Sequence, residues 1–446
     1  MDGGIDLKML PHDFVERMSR QLGYELSDFL LAMDQPSVRG IRMNKEKPFE
    51  GMDGYIRLER VPWCMDGYFL PQDSKAGATV FHEAGAFYLQ EPSAMLPAEV
   101  MKVLPGEHIL DLCSAPGGKG TQMALRLNGK GFIVCNEPVP KRAAILSRNL
   151  ERMGITNSIV TCCYPERIPE SWHGLFDGVL ADVPCSGEGM FRRDPETRSE
   201  WTQEKASGCT VRQREILNSG AKLVRPGGRL VYATCTYNPD ENEKTVEMFL
   251  DTHPDFFLEP FHFDGADGRN GMLLCLPHRM KGEGQFVAKL RKKEKNDSKT
   301  IISLPYERPA REETELFRKQ FPGLPVPNVK AGSKFACCPE CPELKGIRVL
   351  RAGLHLAEIR GKIVIPDHAA AVSCIRPDIQ EIRMTPEEAK KYIAGAEIQR
   401  GSSGWTLMTF SNLRLGWGKG SDGYIKNHYP KGLRKQNILT EPEFWI

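Results

Sequence analysis

Between residues 79 and 290 the chain alternates short apolar runs with helical stretches, and this alternation constrains the fold more tightly than any other feature. The spacing predicts strands at 108–112, 131–136, 158–163, 176–182 and 228–234, with helices at 118–127, 141–153 and 207–224 between them. Strands separated by helices pair in parallel and are covered on both faces. Leu146, Leu150 and Met153 give the second helix an apolar stripe, and a later run, 285–290, completes the sheet. The expected class is α/β, a Rossmann-like doubly wound sheet.

In such sheets ligands bind beyond the carboxyl ends of the strands. Three of those ends carry unusual residues. The first opens into Asp111-Leu-Cys113-Ser114-Ala115-Pro116-Gly117-Gly118-Lys119, a glycine loop leading into a helix. Glycines let backbone approach a ligand, and a helix start offers free N–H groups. The next strand ends at Asn136-Glu137, where a carboxylate can accept from ribose hydroxyls. The last two strands end in thiols, Cys185 in Asp182-Val-Pro-Cys-Ser-Gly and Cys235 in Ala-Thr-Cys-Thr-Tyr. If these strands are neighbours, about 4.8 Å apart, both thiols face one pocket.

A free thiol has a pKa of about 8.5, so a cysteine nucleophile needs activation. Asn238-Pro239-Asp240-Glu241 reads as a helix start just after Cys235, and its N–H groups are expected to stabilise a thiolate. Two thiols beside a nucleotide-type cofactor point to covalent attack on an electrophilic ring. Cytosine fits: a thiolate adding at carbon 6 makes carbon 5 nucleophilic. A base then removes the carbon 5 proton so that the thiol can leave. Asp182 is placed to engage the ring edge, and the target base must be unstacked to enter.

Composition narrows the setting. The 446 residues are 26% charged with a net charge of +2, so any basic surface is local. No run is apolar enough to span a membrane, and the 13 cysteines read as reduced thiols in a cytoplasmic protein. Cys337-Cys338-Pro-Glu-Cys341 lacks the second pair a zinc site needs, so no metal is expected. Residues 1–78 read as an N-terminal accessory lobe and 79–290 as the catalytic domain. Residues 291–311, with Lys292, Lys293 and Lys295, read as a solvated linker, and 312–446 as a separate unit. Two segments interleave cations with apolar or aromatic residues: Arg39 and Arg42, and the tail with Lys426, His428, Tyr429, Lys431 and Arg434. Both are candidates for phosphate contacts and base stacking.

The loop 111–119, Asp182-Val-Pro-Cys185-Ser-Gly and Ala233-Thr-Cys235-Thr-Tyr-Asn-Pro-Asp-Glu resemble the motifs of the Sun-domain RNA cytosine-5 methyltransferases, and Pro277 to Ala288 resembles their closing motif. The resemblance extends over nearly the whole chain and is greatest to the branch that modifies bacterial small-subunit (16S) ribosomal RNA. It implies a class I methyltransferase domain with an N-terminal RNA-recognition lobe. It also implies an accessory domain at 312–385 and a PUA-like α+β RNA-binding domain at 386–446. It implies S-adenosyl-L-methionine held by 113–119 and Glu137, with Arg142 a further cofactor contact. In that scheme Cys235 is the nucleophile, Cys185 serves proton removal or RNA release, and Asp182 and Lys119 touch both cofactor and cytosine. The family usually has an acid after the third strand; here Thr161-Cys-Cys-Tyr164 stands there, and Tyr164 is expected to line the adenine. The expected partner is RNA and the expected state a monomer. Transfer RNA as substrate, the reversed cysteine roles, and a non-catalytic ribosome assembly factor stay open alternatives.

Overall fold

The computed structural model describes residues 10–52, 57–294 and 302–441. Lys295, assigned to the linker, lies outside the described residues.

Helices α1 (His12–Leu22) and α2 (Leu26–Met33) precede a three-stranded antiparallel sheet of β1 (Arg39–Met43), β2 (Gly67–Leu70) and β3 (Phe87–Leu89). Helix α3 (Leu96–Met101) leads into β4 (His108–Asp111), α4 (Gly118–Arg126), β5 (Phe132–Asn136), α5 (Pro140–Arg152) and β6 (Ser158–Cys162). Then come β7 (Phe176–Asp182), the short α6 (Pro195–Glu200), α7 (Gln203–Leu223), β8 (Val224–Thr234) and α8 (Glu243–Thr252). A short strand β9 (Phe256–Leu258), the hairpin β10 (Phe261–Phe263) and β11 (Ala266–Gly268), β12 (Met272–Cys275) and β13 (Gln285–Lys292) close the domain.

The central sheet runs β12-β13-β8-β7-β4-β5-β6. Strands β8, β7, β4, β5 and β6 are parallel, and β13 lies antiparallel to β8. Alternate residues of β4 serve opposite faces. Leu110 joins Val179 and α7's Ile216 and Leu217. Ile109 joins Met123 of α4 with Leu146 and Leu150 of α5. Every one of these side chains is buried, which is why the strands read as continuous apolar runs.

The chain beyond 302 forms two four-stranded sheets, one built from 329–366 and one from 381–427 with the helix Pro386–Ala394 beside it. Three expected boundaries are corrected. The cut at 78 splits the first sheet, because β3 pairs with β1. The region after 311 is not separate: the strand Arg348–Ala352 pairs antiparallel with β6 and extends the catalytic sheet. A common core also joins Ile41, Phe81 and Phe87 to Tyr392, Met408 and Ile425. Nor is the start of the linker free chain, although Lys293 and Glu294 are exposed. Lys292 Nζ donates to the carbonyls of Ala221 and Val224, both at 3.0 Å, and Lys293 Nζ to that of Pro254 at 2.7 Å. A strand edge and an apolar face covered by distant chain carry no local signature.

Candidate active site

The carboxyl ends of β4, β5, β7 and β8 open into one cavity of about 410 Å³. Cys113, Ser114, Ala115, Pro116, Gly118 and Lys119 line one side, and Glu137 and Arg142 stand near them. Gly117 does not line the cavity. It sits behind it at φ +110°, where a Cβ would come 3.0 Å from Leu146, so its role is to turn the backbone into α4. Arg142 donates to the Ala115 carbonyl at 3.0 Å and lies 3.5 Å from Glu137, tying the loop to the end of β5.

Several buried polar atoms here make no good hydrogen bond. Glu137 Oε1 accepts from the Val139 N–H at 3.0 Å, while Oε2 makes no hydrogen bond and has only the Arg142 ion pair at 3.5 Å. The Asp111 carboxylate faces the Ser114 hydroxyl and the Cys113 backbone N–H, in contacts too long or bent for good hydrogen bonds. Burial pushes the Asp111 carboxyl up to about 7. Unmet buried polar atoms are costly. Their concentration on one wall fits a polar ligand with ribose hydroxyls and a charged amino-acid end, the character of S-adenosylmethionine.

Beside this wall Lys119 Nζ donates to Asp182 Oδ2 at 2.7 Å. The carboxylate holds the lysine more firmly protonated than usual, although burial opposes it. Strands β7 and β8 are hydrogen-bonded neighbours, and Cys185 Sγ and Cys235 Sγ stand 3.1 Å apart at their ends. The Cys235 N–H also donates to Cys185 Sγ at 3.3 Å. The hydrogen bond with Cys235 and burial push the Cys185 thiol well up.

The helix expected from Asn238 begins only at Glu243. Asn238 and Glu241 are buried and spent on a turn instead. Asn238 Oδ1 accepts from the Asp240 N–H, and Asn238 Nδ2 donates to Glu241. Glu241 also takes the Ser186 N–H at 2.9 Å, the Ser186 hydroxyl at 2.5 Å and Gln213 Nε2 at 2.8 Å. It therefore fixes the loop that carries Cys185. This anchor escaped the sequence reading because a buried acid in a turn looks like a helix cap.

Other expected contacts are corrected. Tyr164 is 54% exposed, lies against Arg167 and does not line the cavity. The chain turns into a proline-led helical turn straight after it, which carries the ring outward. Arg42 is buried and donates to Gln90, the Gly118 carbonyl and Thr121, so it braces the cofactor loop and is closed to RNA. Arg39 spends its guanidinium on the carbonyls of Gln72 and Ser74. Tyr429 is buried against His368 and Tyr392. Lys426, His428 and Lys431 are exposed, and Arg434 is half-buried against Gly395. The sequence reading missed Tyr88, Gln90, Met190 and Arg193 as cavity residues. The cation pair Arg192-Arg193 was a signal. Only Arg193 faces the cavity, while Arg192 is paired with Glu283 at 2.8 Å.

A doubly wound sheet with a glycine loop, an acid on the next strand and two thiols at adjacent strand ends defines a class I methyltransferase. The family described as 16S rRNA methyltransferase RsmB/F matches residues 98–291, the N-terminal domain of RsmF matches 10–92, and the RsmF PUA domain matches 380–435. Ribosomal RNA small subunit methyltransferase F of Escherichia fergusonii is 30% identical over 484 aligned residues, covering 96% of this chain and 97% of that protein. The protein of the same name from Shigella boydii is similar to the same extent. A methyltransferase homologue from Pyrococcus horikoshii superposes with a TM-score of 0.56 at 27% identity, covering 65% of this chain and all of its own. NSun6 from the same organism, solved with SFG, shares the fold at 21% identity and a TM-score of 0.56, with the same coverage of both chains. The chain belongs to the RsmF family of RNA methyltransferases.

Proposed function

We propose that this protein methylates carbon 5 of cytosine in small-subunit ribosomal RNA, with Cys235 as the nucleophile. The observation that carries this reading is the pair of sulfurs 3.1 Å apart on the rim of the cavity shared with the glycine loop. S-adenosylmethionine supplies the methyl group when bound. Glu137, Ser114 and the 113–119 backbone hold it, with Arg142 bracing the loop.

Charge divides the two thiols. Cys235 is within electrostatic reach of Lys119 and is one of the groups that hold that lysine protonated. The hydrogen bond with Cys235 and burial keep Cys185 a thiol, and Glu241 beneath it adds to them. Cys235 adds to carbon 6 of an unstacked cytosine, and Asp182, steadied by Lys119, accepts from the ring edge. Once carbon 5 carries the methyl group, a base takes its proton, the Cys235–carbon 6 bond breaks with its electron pair going back to sulfur, and Cys185 serves this proton removal or the release that follows. The accessory lobes present Lys426, His428, Lys431 and Arg434 to RNA phosphates and bases. The thirteen free cysteines fit a reducing cytoplasm, and among the described residues no helix is long and apolar enough to cross a membrane. The monomeric state is part of the same proposal.

The test is trapping. Cys185→Ala should accumulate a protein–RNA adduct that survives denaturing gel electrophoresis in the presence of cofactor. Cys235→Ala should neither methylate nor form it. An active Cys235→Ala and a Cys185→Ala that is dead without an adduct would reverse the roles. Bisulfite sequencing of RNA from cells with and without the gene identifies the target. Protection lost in transfer RNA instead would overturn the choice of substrate.

A further inference from the structure

A second cavity, of about 570 Å³, adjoins the first. The two share Cys185 and Met190, yet no residue of the glycine loop lines the second. We propose that this cavity seats the nucleotide next to the target cytosine on the same RNA strand. The proposal rests on the function given above and adds to it a site for the flanking base and phosphate.

Continuity is the first argument. A base drawn to the thiols must be pulled out of its stack, which leaves its strand neighbour unpaired from it and at the mouth of the same opening. Cys185 forms the partition between the two spaces, so the neighbour's natural seat is the cavity on its other side.

Charge is the second. Lys205 and Glu200 both line the cavity and lie 3.4 Å apart, so they largely offset each other. Arg212 lines it too, is exposed, and has no hydrogen-bond or ion-pair partner among the described residues. An unspent guanidinium at the rim suits a phosphate. Met190 and the buried Trp201, whose indole N–H is already committed to Glu188 at 3.1 Å, supply apolar wall for a base.

Gly208 is the third. It lies within α7, is exposed, and faces the cavity. Glycine weakens an exposed helix interior. A Cβ there would meet nothing within 4 Å, so packing does not require the glycine. What its missing side chain does is leave the cavity open.

Gly208→Leu and Arg212→Ala in the full-length protein test this. The readouts are polarisation of a short fluorescein-labelled single-stranded RNA carrying one cytosine, and KM for transcribed small-subunit ribosomal RNA. Gly208→Leu should strengthen α7 and keep or raise the melting temperature. It should also weaken RNA binding about tenfold, the scale of one lost base contact. Arg212→Ala should flatten the salt dependence of binding by about 0.7 in log–log slope, one phosphate on a single strand. Affinity for S-adenosylmethionine should not move in either variant. If the wild type methylates RNA and both variants match its KM, affinity and slope, the cavity is not a nucleotide site. A wild-type protein that transfers no methyl group to RNA removes the proposed function itself and this inference with it.

Discussion

Glu241→Gln tests whether the anchor beneath Cys185 matters, because the substitution keeps shape and removes only charge and acceptor capacity. Four donors converge on this buried carboxylate. Oε1 accepts from the Ser186 hydroxyl and Asn238 Nδ2, and Oε2 from the Ser186 N–H and Gln213 Nε2. Glutamine keeps one acceptor and turns the other oxygen into an NH2 group. With the NH2 on the Oε2 side, the Ser186 N–H and Gln213 Nε2 face a donor; on the Oε1 side only Asn238 Nδ2 does, because the Ser186 hydroxyl can accept and turn its proton to Thr236 Oγ1, 2.8 Å away. At least one buried donor is left unmet, which costs about 1–3 kcal/mol. Each kcal/mol lowers the melting temperature of a domain this size by about 2–4 °C. The expected drop, followed by tryptophan fluorescence, is therefore roughly 2–12 °C. Because Ser186 follows Cys185 directly, release of RNA from the trapped state should slow at temperatures where the variant is still folded. An unchanged melting temperature, or a stability loss with wild-type release kinetics, would refute the view that Glu241 positions that thiol.

Three further outcomes are expected. Arg42→Ala removes three buried donors' bonds and should lower the free energy of unfolding by about 2–4 kcal/mol in urea titration; a stable variant with weakened RNA binding would restore Arg42 to the RNA surface. Glu137→Ala should weaken S-adenosylmethionine binding about tenfold or more by calorimetry, the worth of hydrogen bonds to a charged group. Hydrogen bonds from Arg279 and His278 hold the Glu25 carboxyl down to about 2. Its contribution to stability is complete above its unfolded value of 4.5 and is lost as pH falls through that value toward 2. Glu25→Gln should flatten the acid limb of the urea midpoint against pH, and a curve parallel to the wild type's would count against the clamp.

The strands that build the site were legible because parallel strands buried on both faces leave unbroken apolar runs. The run 176–182 coincides with β7 residue for residue, and the glycine loop and both thiols follow at strand ends as expected. The errors share one physical cause. Burial is a property of the assembled fold, and cations or aromatics in a short segment do not reveal which face they occupy. Arg42 and Tyr429 stood in basic, RNA-like segments yet are packed inside. The strand Arg348–Ala352 reads as surface chain because its partner, β6, lies almost two hundred residues earlier. Asn238-Pro-Asp-Glu241 carries every local sign of a helix start, and the need to anchor Ser186 overrides them.

That last override bears on the chemistry. Had a helix begun at Asn238, its positive end would have favoured charge on either neighbouring sulfur alike. A thiol pair needs the opposite, since two sulfurs at 3.1 Å cannot both be anions without strong repulsion. The turn places a carboxylate beneath Cys185, and Lys119, paired with Asp182, is in electrostatic contact with Cys235. The Cys235 N–H directed at Cys185 favours charge there, but burial, the Cys235 contact and Glu241 outweigh it. In the proposed mechanism the thiol kept protonated is Cys185, and its contacts with Cys235, its burial and the carboxylate beneath it all act in that direction. The settings differ as well: Cys235 directly follows β8, while Cys185 lies in the loop three residues past β7 and accepts the Cys235 N–H.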